Sequence, residues 1–129
     1  MQKPKIYVGM PCYDSVRVET MISLLDTFSA LGKSGIEVKF KTVRSSLVTH
    51  ARNLLTCGFL QSDCDHMLCV DADVQFTPEA VMRMLVPKEF IVCTPYRVKE
   101  DPLKTKYTVK FKNPDKIKIL PWDMVEIEE

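Results

Sequence analysis

The sequence predicts an α/β fold: a mostly parallel central sheet with helices on both faces, and a short antiparallel appendage at the C-terminal end. Three observations predict it. From Lys5 to Val98, short apolar runs alternate with segments whose apolar residues recur every three to four positions. Strictly alternating strands and helices build a parallel sheet through crossover connections. The run "HMLCV" (His66 to Val70) shows no polar alternation, as in strands covered on both faces. Finally, 129 residues with 46% hydrophobic and 27% charged side chains can bury one sheet and a few helices as a single domain.

Each element follows in order. "KIYVGM" (Lys5 to Met10) is a short apolar run before Pro11 and reads as the first strand. "SVRVETMISLLDTFSAL" places Met21, Ile22, Leu25 and Phe28 on one face of a helix. Gly32 is expected to stop that helix, with "GKSG" as a turn. "IEVKFKTV" alternates apolar and charged residues, so the second strand has one face less covered. "SSLVTHARNLLTCGFL" sets Leu47, Ala51, Leu54, Leu55 and Phe59 at helical spacing. After the loop "QSDCD", "HMLCV" is expected to be a fully buried, central third strand. "TPEAVMRML" is a short helix, with Thr77 as its N-cap and Pro78 at its first position. Pro87 ends it, and "FIVCTPY" is expected to be a fourth strand. Beyond it, "TKYTVKFK" alternates like an exposed strand in a lysine-rich region, where a solvated face competes with a phosphate- or glycan-facing role.

Composition removes several function classes. A formal net charge of +1 does not argue for nucleic acid or a membrane surface as partner. No segment approaches the roughly 20 apolar residues of a membrane span. The opening "MQKPKIYVGMPCY" does not read as a secretory signal. Five cysteines, with no CxxC, argue against a disulfide framework or structural zinc, and Cys69 and Cys93 read as small core residues. A cytoplasmic setting is expected from this.

The chemistry concentrates where the third strand ends. In "HMLCVDADVQF", Asp71 and Asp73 stand two apart, so they leave the same face if the strand persists. In open α/β sheets, ligands bind beyond the carboxyl ends of the strands. Two adjacent carboxylates repel one another, and a hard divalent ion relieves this: Mn2+ or Mg2+, which prefer carboxylate oxygen and keep positions open for phosphate. Alternatively, one aspartate caps the next helix and the other is solvated. Two further segments should reach the same edge. In "MPCYDS", Pro11 fixes the turn, Tyr13 can stack on a base, and Asp14 can bond a base or ribose, unless Asp14 or Ser15 only caps the helix. In "VRSSLVTHARN", Arg44 and Arg52 are the best phosphate partners, since guanidinium binds phosphate oxygens bidentately; an arginine there can also simply neutralise the aspartates. His50 reads as an exposed helical residue and His66 as the start of its strand.

Taken together, "KIYVGMPCYDS", "SSLVTHARNLLTCGFLQSDCDHMLCVDADVQFTPEAVMRML" and "FIVCTPYRVK" resemble family-2-like glycosyltransferases of the A-type fold, similar to small enzymes common in phages and large viruses. The resemblance covers Lys5 to about Lys99. It implies a Rossmann-like nucleotide-diphospho-sugar transferase fold, with a nucleotide-sugar-binding part over 1–99 and a basic strand appendage over 100–129. It implies that Asp71 and Asp73 are the family's DxD metal pair. The donor would be held by Pro11, Cys12, Tyr13, Asp14, Arg44, Arg52, Asp71 and Ala72. The reaction implied is transfer of a sugar from a nucleotide diphosphate sugar to a glycan or protein acceptor, in the host cytoplasm if the chain is viral. The chain departs from the family at Arg97 and Val98, where tyrosine-proline-lysine is common after the fourth strand. The family also continues past Glu129, so the chain is expected to be a truncated donor half. No catalytic base stands out; Asp101, Asp115 and Asp123 are candidates without a motif to choose among them. Two other readings stand beside this one. A non-catalytic nucleotide-binding or assembly domain would share the site. A haloacid-dehalogenase-like phosphatase would use Asp71 as nucleophile, but that motif normally ends the first strand and wants Thr or Val where Gln75 stands.

Overall fold

A computed structural model describes residues 3–94, 117–120 and 124–127. The chain divides into two compact units, Met1–Val86 and Pro87–Glu129.

The first unit runs β1 (Lys5–Cys12), α1 (Val18–Lys33), β2 (Glu37–Arg44), α2 (Val48–Leu60), β3 (His66–Cys69) and α3 (Pro78–Met84). The strands form one parallel sheet in the order β2-β1-β3, with β1 in the centre. Side chains alternate across β1 because a strand has a period of two. Ile6, Val8 and Met10 point to one face and pack with Leu24 and Leu31 of α1, Val70, and Val81 of α3. Tyr7 and Gly9 point to the other face, towards α2. There the Tyr7 and Phe59 rings lie 6.0 Å apart. A Cβ on Gly9 would come within 3.2 Å of Met67 and 3.4 Å of Leu55, so this strand centre has room only for glycine unless they give way.

The sheet corrects the expected fold class. Three parallel strands are too few to show a Rossmann-like fold, and the Rossmann-like transferase architecture is set aside. The expected fourth strand carries the difference. Among the described residues Ile91–Thr94 pairs with no strand, Phe90 and Ile91 are exposed, and Pro95 and Tyr96 lie outside the described residues. An apolar run becomes a strand only when an edge accepts its hydrogen bonds and layers cover its faces. For the same reason β3 is not central. It is a four-residue edge strand with His66 and Cys69 exposed. Cys93 is exposed as well, so neither cysteine is a core residue. All five cysteines are free.

The expected face of α1 is also corrected. The helix buries Thr20, Ser23, Leu24, Thr27 and Leu31, while Met21, Ile22 and Leu25 face outward. Nor does Gly32 end it. The helix runs through Lys33, and the left-handed residue is Gly35 at φ 72°. Thr77 does cap α3, its side chain accepting from the Ala80 N–H at 3.3 Å.

In the second unit, β4 (Ile117–Leu120) and β5 (Met124–Ile127) pair antiparallel, with Ile117 opposite Ile127. The strand expected at "TKYTVKFK" and the candidate bases Asp101, Asp115 and Asp123 lie outside the described residues. Among the described residues, no helix is long and apolar enough to cross a membrane.

The amino ends of the strands are tied by charge. Asp63 pairs with Lys39 and, at 2.6 Å, with Lys5, while Glu37 stands 3.6 Å from Lys5. Asp65 accepts the Lys5 backbone N–H at 2.9 Å. Hydrogen bonds from Lys39 and Lys5 hold the Asp63 carboxyl well below the usual carboxylate range, and Asp63 raises both lysines. A depressed carboxylate stabilises the fold above its ordinary pKa, and this is lost as pH falls through and below that range. Asp63→Asn is therefore expected to flatten the acid limb of a Tm-versus-pH curve. Its effect at neutral pH should be small and shrink in high salt, because the cluster is open to solvent.

Candidate functional site

The carboxyl ends of the three strands bring the sequence-derived candidates to one edge of the sheet. β1 delivers Pro11 and Cys12, and the chain then turns through Tyr13, Asp14 and Ser15 into α1. The parallel register sets Cys12 beside Arg44, and the Ser45 N–H donates to the Cys12 carbonyl at 2.9 Å. Arg44 donates to Asp14 at 3.1 Å. Neither Asp14 nor Ser15 caps α1: the N-cap is Arg17, with no side-chain cap bond. Asp14 is thus free for charge pairing, and Arg44 provides it. The Cys12 thiol lies 3.4 Å from the Ser15 carbonyl, and Tyr13 is exposed beyond it.

Arg52 sits one turn into α2 and donates to Asp71 at 3.2 Å. This places the arginine beside Asp71. Both partners are partly open to solvent, so the pair itself adds little stability. Cys69, at the end of β3, feels the same charges. Partial desolvation of the thiol pushes its pKa up, Arg52 pulls it down and Asp71 raises it. His50 is exposed and His66 starts β3, both as expected, though His66 is exposed as well.

The acidic pair does not continue a strand. β3 ends at Cys69, Val70 adds one bond to the Gly9 carbonyl at 3.0 Å, and Ala72 and Asp73 form a turn. Strand alternation therefore does not set the directions of Asp71 and Asp73. Instead the turn is pinned from α1. The Arg17 N–H donates to the Ala72 carbonyl at 3.0 Å, and the Phe76 N–H donates to Ser23 Oγ at 3.1 Å. The Ala72 carbonyl is thus engaged within the fold.

Ser23 is the site residue that sequence reasoning missed. It is nearly fully buried and fastens the chain just after the acidic turn. Its only signal was a hydroxyl between Thr20 and Thr27, on a face where apolar residues were not expected to gather. Ser23→Ala removes the acceptor of a backbone N–H, which typically costs about 1–3 kcal/mol when the group stays unsatisfied. Amide exchange at Val74–Phe76 is expected to accelerate, and Ser23→Thr should restore slower exchange.

The donor chemistry of the turn fits a hard divalent ion. Asp71 and Asp73 supply carboxylate oxygen, and Asp73 is exposed. Among the described residues, no three His, Cys, Asp or Glu side chains gather to hold an ion by themselves. An ion here would therefore take its remaining positions from water and phosphate oxygens, as Mg2+ usually does.

Comparison with known proteins adds no relative. No protein-family model matches the chain, and neither do any curated protein or solved structure.

Proposed function

We infer that this chain binds a nucleotide diphosphate sugar through a divalent ion at Asp71 and Asp73, and transfers the sugar to an acceptor hydroxyl. One observation carries the reading. Two arginine–carboxylate pairs, Arg52–Asp71 and Arg44–Asp14, stand at the carboxyl edge of one parallel sheet. Each keeps an acidic and a basic group at a place where ligands of parallel sheets bind.

The roles follow from what each side chain can do. Asp71 and Asp73 would hold Mn2+ or Mg2+, which when bound offsets the charge of a departing diphosphate. Arg52 has five N–H donors and uses one on Asp71, so others remain for diphosphate oxygens. Arg44 can do the same beside Asp14. Tyr13 presents an exposed ring for a base, and Asp14 can accept from a base or ribose hydroxyl.

The test is calorimetric titration of uridine and guanosine diphosphates, with and without Mn2+, on wild type and Asp73→Ala. Metal-dependent binding that Asp73→Ala abolishes is the expected result. Equal binding with and without metal would overturn the reading. Slow hydrolysis of a donor sugar then separates a transferase from a binding module of the same site, and phosphate release from simple monoesters would indicate a phosphatase instead.

A further inference from the structure

The 16-residue helix α1 packs on the sheet through Leu24 and Leu31 but divides its other residues unusually. Towards the sheet it buries three hydroxyl residues, Thr20, Ser23 and Thr27, and the Thr20 and Thr27 hydroxyls are buried without a hydrogen-bond partner. Outward it shows Val18 at 70% exposure, Met21 at 39%, Ile22 at 53% and Leu25 at 61%. Burying hydroxyls while leaving large apolar side chains in water is unfavourable on both faces of the helix. Contiguous exposed apolar surface of this kind marks an interaction site.

The outward residues form a seam. Val18, Ile22, Leu25, Ser29 and Gly32 are spaced by four, three, four and three, the a/d pattern of paired helices. The seam tapers from large side chains to small ones, and a Cβ on Gly32 would meet nothing within 4 Å. Glu19 and Lys33 lie on one flank, four turns apart, and neither makes an ion pair among the described residues.

We propose that this seam pairs with the same seam of a second copy of the chain, antiparallel about a two-fold axis through Leu25. The antiparallel register sets large against small. Leu25 meets Leu25 of the second copy, Ile22 meets Ser29, and Val18 meets Gly32. It also sets Glu19 of each copy beside Lys33 of the other, giving two attractive pairs. Asp26 lies on the same flank near the axis and faces its own copy, one repulsion against those two attractions. A parallel pair would instead put Glu19 on Glu19 and Lys33 on Lys33. The self-complementary patch is what a two-fold dimer requires.

Sedimentation of the full chain over a concentration series tests this. Wild type is expected to dimerise reversibly. Leu25→Glu buries a charge at the centre of the seam and should weaken the dimer at least ~100-fold. Its circular dichroism should match wild type, since Leu25 is exposed in the single chain. Glu19→Lys should weaken association about tenfold by reversing two rim pairs, and adding Lys33→Glu should restore it. A wild type that stays monomeric, a dimer indifferent to Leu25→Glu or to Glu19→Lys, or a double variant that fails to recover would each overturn the proposal.

Discussion

Leu24→Ala is expected to destabilise the fold by about 2–5 kcal/mol, while Leu25→Ala, one residue on, should change it by no more than about 0.5 kcal/mol. Leu24 is 1% exposed and packs with Ile6, Val8, Met10, Val70 and Val81. Removing its isobutyl group loses the transfer free energy and leaves a cavity that a close-packed core only partly closes. The sheet has only three strands, so little else compensates. At roughly 4 °C per kcal/mol the melting temperature should fall by about 8–20 °C. Urea unfolding of both variants, at concentrations where the chain is monomeric, measures the contrast. Equal losses at the two positions would show that α1 packs through the face its apolar periodicity suggests.

Arg52→Ala is expected to lower metal-dependent affinity for a nucleoside diphosphate by about ten- to a hundredfold, since charge-assisted guanidinium–phosphate bonds are among the strongest a side chain makes. The melting temperature should barely move, because Arg52 and Asp71 form a solvent-exposed pair. Arg52→Lys keeps the charge but loses the planar fork, so it should recover only part of the affinity. The Arg44→Ala variant provides a second reading from the β1–β2 side, where the Asp14 pair is also exposed. If Arg52→Ala binds as wild type does, Arg52 serves only to neutralise Asp71, and the proposed donor site loses its phosphate partner.

Much of the site was legible because its residues act locally. Asp14, Arg44, Asp71 and Asp73 end or closely follow a strand, Arg52 sits one turn into the helix after β2, and parallel strands put such positions at one edge. The resemblance put Arg52 near the aspartates, and the structure shows it donating to Asp71. The direction of the acidic pair was not legible, because it depended on β3 continuing past Cys69. Ser23 was illegible for a different reason. Its role is a hydrogen bond to a residue 53 positions away, and no local pattern marks that distance.

By itself the sequence determined the strands and helices of Lys5 to Met84, the cap at Thr77, the parallel direction of the strands and which charged residues stand near their carboxyl ends. These follow from periodicity, turn residues and charge, which act within a few residues. Only the tertiary structure decided which strand is central, which face of α1 is buried, and that among the described residues Ile91–Thr94 joins no sheet. Those outcomes turn on which edges pair and which surfaces are covered. Apolar composition states only that a segment tolerates burial, and the rest of the chain determines whether it is buried.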